Sequence, residues 1–255
     1  MNLHYKKGWE SFCVSSQCGC GFGCKFCATG AIGHKRNMTA DEITDQILYF
    51  YLAGHQINSV SFMGMGEPFA NPNLFDALKI LTNPSLFGLS QRRITISTIG
   101  MIPGIKRLTR DFPQVNLAFS LHSPFEKQRS ELMPINQTYP LHKVMDALDA
   151  HVANTKRRLF LAYIMLGGIN DSAEHAKALA HLILSRGALS YLYHVDLIPY
   201  NATDKTARKF TASNHEAIKN FSDILHSNRI SVAIRMQFGS DIGAGCGQLY
   251  ADERD

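Results

Sequence analysis

Short apolar runs rich in β-branched and aromatic residues alternate along this chain with stretches whose apolar positions recur every three to four residues. The first kind suits strands and the second amphipathic helices laid over them, so the alternation predicts strand–helix repeats around a parallel sheet. Strands are expected over 10–15, 59–63, 94–98, 116–120, 159–165, 193–198 and 230–236. A helix is expected to start at Thr39, where Asp41 and Glu42 follow and Ile43, Ile47 and Leu48 repeat at helical spacing. Further helices are expected over 73–81, 102–110, 141–153, 172–185 and 213–228. Six or so such units curl most readily into part of a barrel. The expected fold class is therefore α/β, a partial (βα)6 TIM-like barrel, with its chemistry where the strands end at their carboxyl edge.

Composition narrows this only a little. The 255 residues are enough for one large α/β domain with a sizeable core, and nothing marks a second domain. Lys and Arg outnumber Asp and Glu by 26 to 21, and the resulting charge of +5 permits a polyanionic partner without demanding one. The basic clusters His34-Lys35-Arg36, Arg92-Arg93 and Lys156-Arg157-Arg158 each read, taken alone, as solvated surface. No apolar run approaches the length of a bilayer-spanning helix, so a soluble, cytoplasmic protein is expected.

Candidate chemistry changes the picture more. Cys20, Cys24 and Cys27 are spaced C-x-x-x-C-x-x-C, offering three thiolates where most iron–sulfur clusters take four. One iron of a cubane would stay open, and the amino and carboxylate end of S-adenosylmethionine is its natural occupant; such a cluster can split that cofactor to a carbon radical. Two other readings compete. A zinc site would take Cys18 as a fourth ligand, and a disulfide network is the other option, though a reducing cytosol without a signal peptide disfavours it. Phe26, just before the third cysteine, is suited to shield a cluster edge.

Polar and glycine-rich groups fall at successive strand ends. Gly64-Met65-Gly66-Glu67-Pro68 lacks the third glycine of a dinucleotide fingerprint, but it combines close backbone approach with a carboxylate suited to a ligand's ammonium group. Ser97-Thr98-Ile99-Gly100, Ser120-Leu121-His122-Ser123 and Asn201 follow later strands. Each alone reads as a turn or a cap; their repetition is harder to explain that way. Cys13 and Cys246 stand near opposite ends of the chain. An isolated cysteine is ordinarily a small buried hydrophobe, but the glycine-rich setting of Cys246 suits a reactive or carrier thiol.

Residues 9–30, 63–68, 120–124, Met133-Pro134-Ile135-Asn136, 165–171 and 241–249 together resemble the radical-SAM 23S rRNA adenine methyltransferases, the family of RlmN and Cfr. The likeness runs in matching order over nearly the whole chain. Residues 16–19, 25–29 and 237–239 lean to the Cfr-type branch. The resemblance implies a radical-SAM barrel that holds a [4Fe-4S] cluster on Cys20, Cys24 and Cys27. It implies S-adenosylmethionine contacts from Gly66, Glu67, Ser97, Ser120, Leu121, His122 and Asn201. Cys246 would carry a methyl group, and Cys13 would later form a transient disulfide with it.

The implied reaction is methylation of C8 of an adenosine in the peptidyl transferase centre, conferring resistance to ribosome-targeting antibiotics. The other branch would methylate C2 and also act on tRNA. Implied partners are 23S rRNA before ribosome assembly and an electron donor such as flavodoxin, with the chain a monomer. The resemblance also implies a single core domain over 1–255, without the family's N-terminal accessory domain or the glutamate that follows it; Glu10 does not align with that glutamate. An inactive cluster-binding remnant is thus an alternative. Gly243 and Gly245 replace residues that are commonly Asp and Ala, which loosens the loop around Cys246. A radical-SAM enzyme with a non-RNA substrate would have no use for the Cys13 and Cys246 pair.

Overall fold

The computed structural model describes residues 1–5, 8–203 and 209–236. Its chain runs β1 (Asn2–Tyr5), β2 (Trp9–Val14), β3 (Gln17–Gly19), α1 (Ala28–Ala31), β4 (His34–Asn37), α2 (Ala40–Leu52), β5 (Ser59–Phe62) and α3 (Leu74–Thr82). It continues through β6 (Ile94–Thr98), α4 (Ile102–Asp111), β7 (Asn116–Ser120), α5 (Glu126–Leu132), α6 (Leu141–Thr155), β8 (Leu159–Met165), α7 (Ala173–Leu184), β9 (Tyr193–Pro199), α8 (His215–Ser227) and β10 (Ser231–Ile234). The main sheet has the order β1-β2-β5-β6-β7-β8-β9-β10. From β2 onward every neighbouring pair is parallel, and β1 lies antiparallel against β2. Each strand is laid beside the one before it, so the sheet winds in one direction as a partial barrel, as expected.

Period-two patterning sorts the two faces. On β2, Phe12 and Val14 are buried in the main core while Ser11 and Cys13 face a cavity. On β6, Ile94 and Ile96 enter that core while Thr95 and Ser97 face the cavity. The outer face packs under helices whose inward stripes include Leu78, Leu108, Leu148, Leu179 and Phe221, all fully buried. Burying each such side chain contributes about 1.5–3 kcal/mol, so the helix-covered layer carries most of the driving force. On β2, β5, β6 and β7 the inner face carries small side chains, Ser11, Cys13, Ser61, Thr95, Ser97 and Ser120. They leave a space where a closed barrel would pack bulky branched residues.

Local signals hold where they were legible. Thr39 caps α2 by accepting from the Glu42 N–H at 3.1 Å while the Glu42 carboxylate accepts from the Thr39 N–H at 2.8 Å, a reciprocal capping box. Five short elements go beyond the sequence pattern: β1, the paired strands β3 and β4, α1 and α5. The last strand is also shorter than the expected 230–236, spanning Ser231–Ile234. Among the described residues, no helix is long and apolar enough to cross a membrane.

Candidate functional site

A cavity of about 630 Å³ opens at the carboxyl edge of the sheet, and Cys20, Cys24 and Cys27 line one wall of it. The loop that presents them is pinned at two points and turned on itself by a third bond. The Cys20 N–H donates to the Gly33 carbonyl at 2.9 Å, the Lys25 N–H to Leu132 at 3.0 Å, and the Cys27 N–H to Cys24 at 3.1 Å. Gly19, with φ 78°, sits so close to the opposing chain that a Cβ would lie 2.0 Å from the Gly33 carbonyl oxygen, so only glycine closes the hairpin beneath the loop. Burial, and then repulsion from Cys27 and Cys20, pushes the Cys24 thiol far above its ordinary value, and burial raises Cys20 to about 11. Cys20 and Cys24 thus resist ionising alone, and three thiols facing one space suit a centre that brings positive charge.

Among the described residues, no three or more His, Cys, Asp or Glu side chains gather closely enough to hold one metal ion, so the zinc alternative with Cys18 gains no support. A cluster does not need that closeness, because each thiolate bonds a different iron. The described cysteines, Cys18 included, are all unbridged. Three thiols facing one space are a donor set that an iron–sulfur cluster with one open iron would fit.

Opposite the cysteines stand the strand ends. Glu67 is buried, and its carboxylate accepts from the Thr98 hydroxyl at 2.7 Å and from the N–H groups of Ile99 at 2.9 Å and Phe69 at 3.2 Å. Burial raises its pKa to about 7 despite those donors. The carboxylate expected to await an ammonium group thus also braces β5 against β6. Gly66 has φ 98°, and a Cβ there would lie 2.6 Å from Gln17 Cβ, which lets the loop settle on the hairpin. The hydroxyls of Ser97 and Ser120 lie 3.5 Å apart and both face the cavity.

His122 holds the left-handed region at φ 58°, a conformation that costs energy unless its surroundings fix it. Asn170 fixes it by donating to the His122 carbonyl at 2.8 Å, and the Ile164 N–H donates to Nδ1 at 3.0 Å. That second bond assigns the proton of the neutral ring to Nε2, and burial lowers its pKa to about 3, so the ring remains an uncharged donor. Phe26 meets its ring edge-on at 4.9 Å and lines the cavity too.

Asn201 and Cys13 line the same cavity, the Cys13 thiol pushed up by burial. Leu121 stands at the same strand end as Ser120, with its side chain turned into the main core. Its side chain is fully buried there, its N–H donates to Ala162, and its carbonyl accepts from Ser123 and Arg129, so it shapes the strand end without reaching the cavity. Cys246 lies outside the described residues. The sequence also left unread two arginines. Arg235 lines the cavity and donates to Asp196 at 2.9 Å, and Arg129 is buried beneath the cysteine wall. Neither stands in a motif, and an isolated arginine in a helical or strand pattern looks like surface.

An open parallel barrel with a three-thiol loop at its carboxyl edge is the architecture of radical SAM proteins, and residues 14–183 match the family described as the Radical SAM superfamily. The chain is 74% identical over 253 residues to a protein of Lachnoclostridium phytofermentans named "Ribosomal RNA large subunit methyltransferase Cfr", covering 99% of this chain and 74% of that one. It is 58% identical to a protein of the same name from Staphylococcus warneri, covering 99% of this chain and 72% of that one. The crystal structure of a radical SAM methyltransferase from Sphaerobacter thermophilus, 40% identical, superposes with a TM-score of 0.90 and covers 97% of this chain and 72% of that one. Streptococcus suis SuiB, 13% identical with a TM-score of 0.66 over 89% of this chain and 49% of that one, shares the fold alone. The chain belongs to the radical SAM superfamily and, within it, to the Cfr family of ribosomal RNA large subunit methyltransferases.

Proposed function

We propose that this protein methylates C8 of an adenosine in the peptidyl transferase centre of 23S rRNA, before ribosome assembly, and so confers resistance to antibiotics that bind there. One observation carries the reading: the three thiols, the polar strand ends and the Cys13 thiol all open into a single cavity. Cys20, Cys24 and Cys27 would hold a [4Fe-4S] cluster. The backbone of Gly66 and the side chains of Glu67, Ser97, Ser120, His122 and Asn201 would hold S-adenosylmethionine. Cluster and cofactor, when bound, supply a carbon radical by one-electron cleavage.

Adenine C8 is electron-poor and will not attack a sulfonium methyl group, whereas a thiolate will. Cys246 therefore takes the methyl group first. Removal of a hydrogen atom from that S-methyl group lets Cys246 add its carbon to the base, which must leave its stack to enter the cavity. Cys13 then attacks the Cys246 sulfur and breaks its bond to the methylene carbon, while the adduct gives up the ring proton and one electron, for which a bound cluster would be the acceptor, and the freed carbon takes up a proton to become the methyl group. Product is released, and the resulting disulfide is reopened by an external dithiol. The neutral His122 donor and the Ser97–Ser120 pair give the cavity fixed hydrogen-bonding groups whose charge does not change near neutral pH. The same reading makes the chain a monomeric, cytoplasmic core domain that draws electrons from a flavodoxin-type donor.

The test is to reconstitute the protein with iron and sulfide without oxygen, then supply labelled S-adenosylmethionine and protein-free 23S rRNA. Mass spectrometry of the nucleosides should find 8-methyladenosine. A 2-methyladenosine product would move the protein to the other branch, and methyl on Cys246 with none on RNA would mark a binding remnant. Cys246→Ala should abolish the RNA product and keep the visible absorbance of the cluster; methylated RNA from that variant refutes the carrier role.

A further inference from the structure

Arg129, on α5, is fully buried, where an unpaired charge is costly. Each of its hydrogen bonds goes to a neutral oxygen. Nη1 donates to Asn136 Oδ1 at 2.6 Å, Nη2 to the carbonyls of Ile99 at 2.8 Å and Ser120 at 3.2 Å, and Nε to the carbonyl of Leu121 at 3.2 Å. The Phe119 ring lies 5.0 Å away on one side of the guanidinium. Dipoles and a ring face satisfy the donors, but they do not neutralise the charge.

Two groups that can carry negative charge are near enough to favour its charged form, Cys24 and Glu126. Glu126 is committed elsewhere: it accepts from Asn136 Nδ2 at 2.8 Å and from the N–H groups of His142 at 3.0 Å and Leu141 at 3.2 Å. Cys24 is drawn to the same helix by its own loop, since the neighbouring Lys25 N–H donates to Leu132. Cys24 and Cys27 also pack on the small apolar cluster that contains Leu132 and Met133. The Met133-Pro134-Ile135-Asn136 segment thereby gains a purpose, as the 3-10 turn Pro134–Gln137 delivers Asn136 to hold the guanidinium fork in place.

We propose that Arg129 is a positioning residue for the cluster on Cys20, Cys24 and Cys27, a fixed cation that offsets the negative charge of the thiolates and eases the uptake of an electron. The inference rests on the cluster reading of the preceding subsection. Accepting one electron from dithionite adds negative charge to a centre that three thiolates already make anionic, and no bond forms or breaks. A cation held beside it in a low-dielectric wall favours the reduced state.

The test uses the full chain, reconstituted with iron and sulfide and titrated with dithionite at controlled potential, with the reduced cluster read by electron paramagnetic resonance. Arg129→Gln should lower the ratio of reduced to oxidised cluster at a given potential about tenfold, about 59 mV for a one-electron couple. Arg129→Lys keeps the charge and should stay within about threefold of the parent. Glu126→Gln removes the competing negative charge and should move the ratio the other way, by about twofold. It carries the test if circular dichroism finds Arg129→Gln unfolded. A parent-like midpoint in a folded, fully iron-loaded Arg129→Gln overturns the proposal, and, where that variant does not fold, an unmoved midpoint in Glu126→Gln does so. A parent chain that takes up no iron and sulfide overturns the cluster reading instead.

Discussion

The two faces of the sheet are made by one alternating pattern and serve opposite ends. Outward, Phe12, Ile96, Leu117 and Phe119 disappear under helices, and their burial holds the protein together. Inward, Cys13, Ser61, Thr95, Ser97 and Ser120 give up that burial and leave room for ligands. Stability and chemistry are therefore carried by alternate residues of the same strands. A substitution can strike one while sparing the other, even between neighbours in sequence.

The largest effect should come from the outer layer. Leu78→Ala on α3 removes a fully buried side chain and should cost about 3 kcal/mol of unfolding free energy in a denaturant melt. The folded fraction should still bind iron and sulfide at the parental stoichiometry. Loss of loading in protein that is demonstrably folded would break the separation. Gly66→Ala probes the other side. Its φ of 98° and the overlap with Gln17 should cost about 2 kcal/mol and displace the loop, weakening S-adenosylmethionine binding measured by calorimetry well beyond what the melt accounts for.

The smallest effect sharpens the outer face. His151 is buried between α6 and α4 with Nδ1 2.8 Å from the Thr109 hydroxyl, and burial, then Arg157, lowers its pKa from 6.5 to about 4. The unfolded chain takes up that proton first as pH falls. The stability of the neutral ring is thus complete above about pH 6.5 and is lost as pH falls from there to about 4. His151→Leu should remove this slope, saving about 1 kcal/mol by about pH 5.5 relative to its own value at neutral pH. Parallel stability curves for parent and variant across that window would refute the assignment.

Legibility followed the same division. Strands over 94–98, 116–120 and 159–165 were expected and are observed with those bounds, because a buried strand writes its apolar side chains at every second position or in an unbroken run. The cysteine loop was legible through spacing, which metal chemistry constrains independently of fold. The β3–β4 hairpin and α1 were not, since three or four residues are too few to display a period. Arg129 could not be found either: within the Glu126–Leu132 helix it has the look of one more surface charge, and only packing against Ile99, Ser120 and Asn136 gives it away. The resemblance places Leu121 among the cofactor contacts, and its side chain belongs to the core.

Among the described residues the sheet has two ends, β1 and β10, which each pair with one neighbour only. A sealed ring of strands has its girth dictated by strand number and stagger. A row with two margins is under no such rule, and its twist sets the space between them.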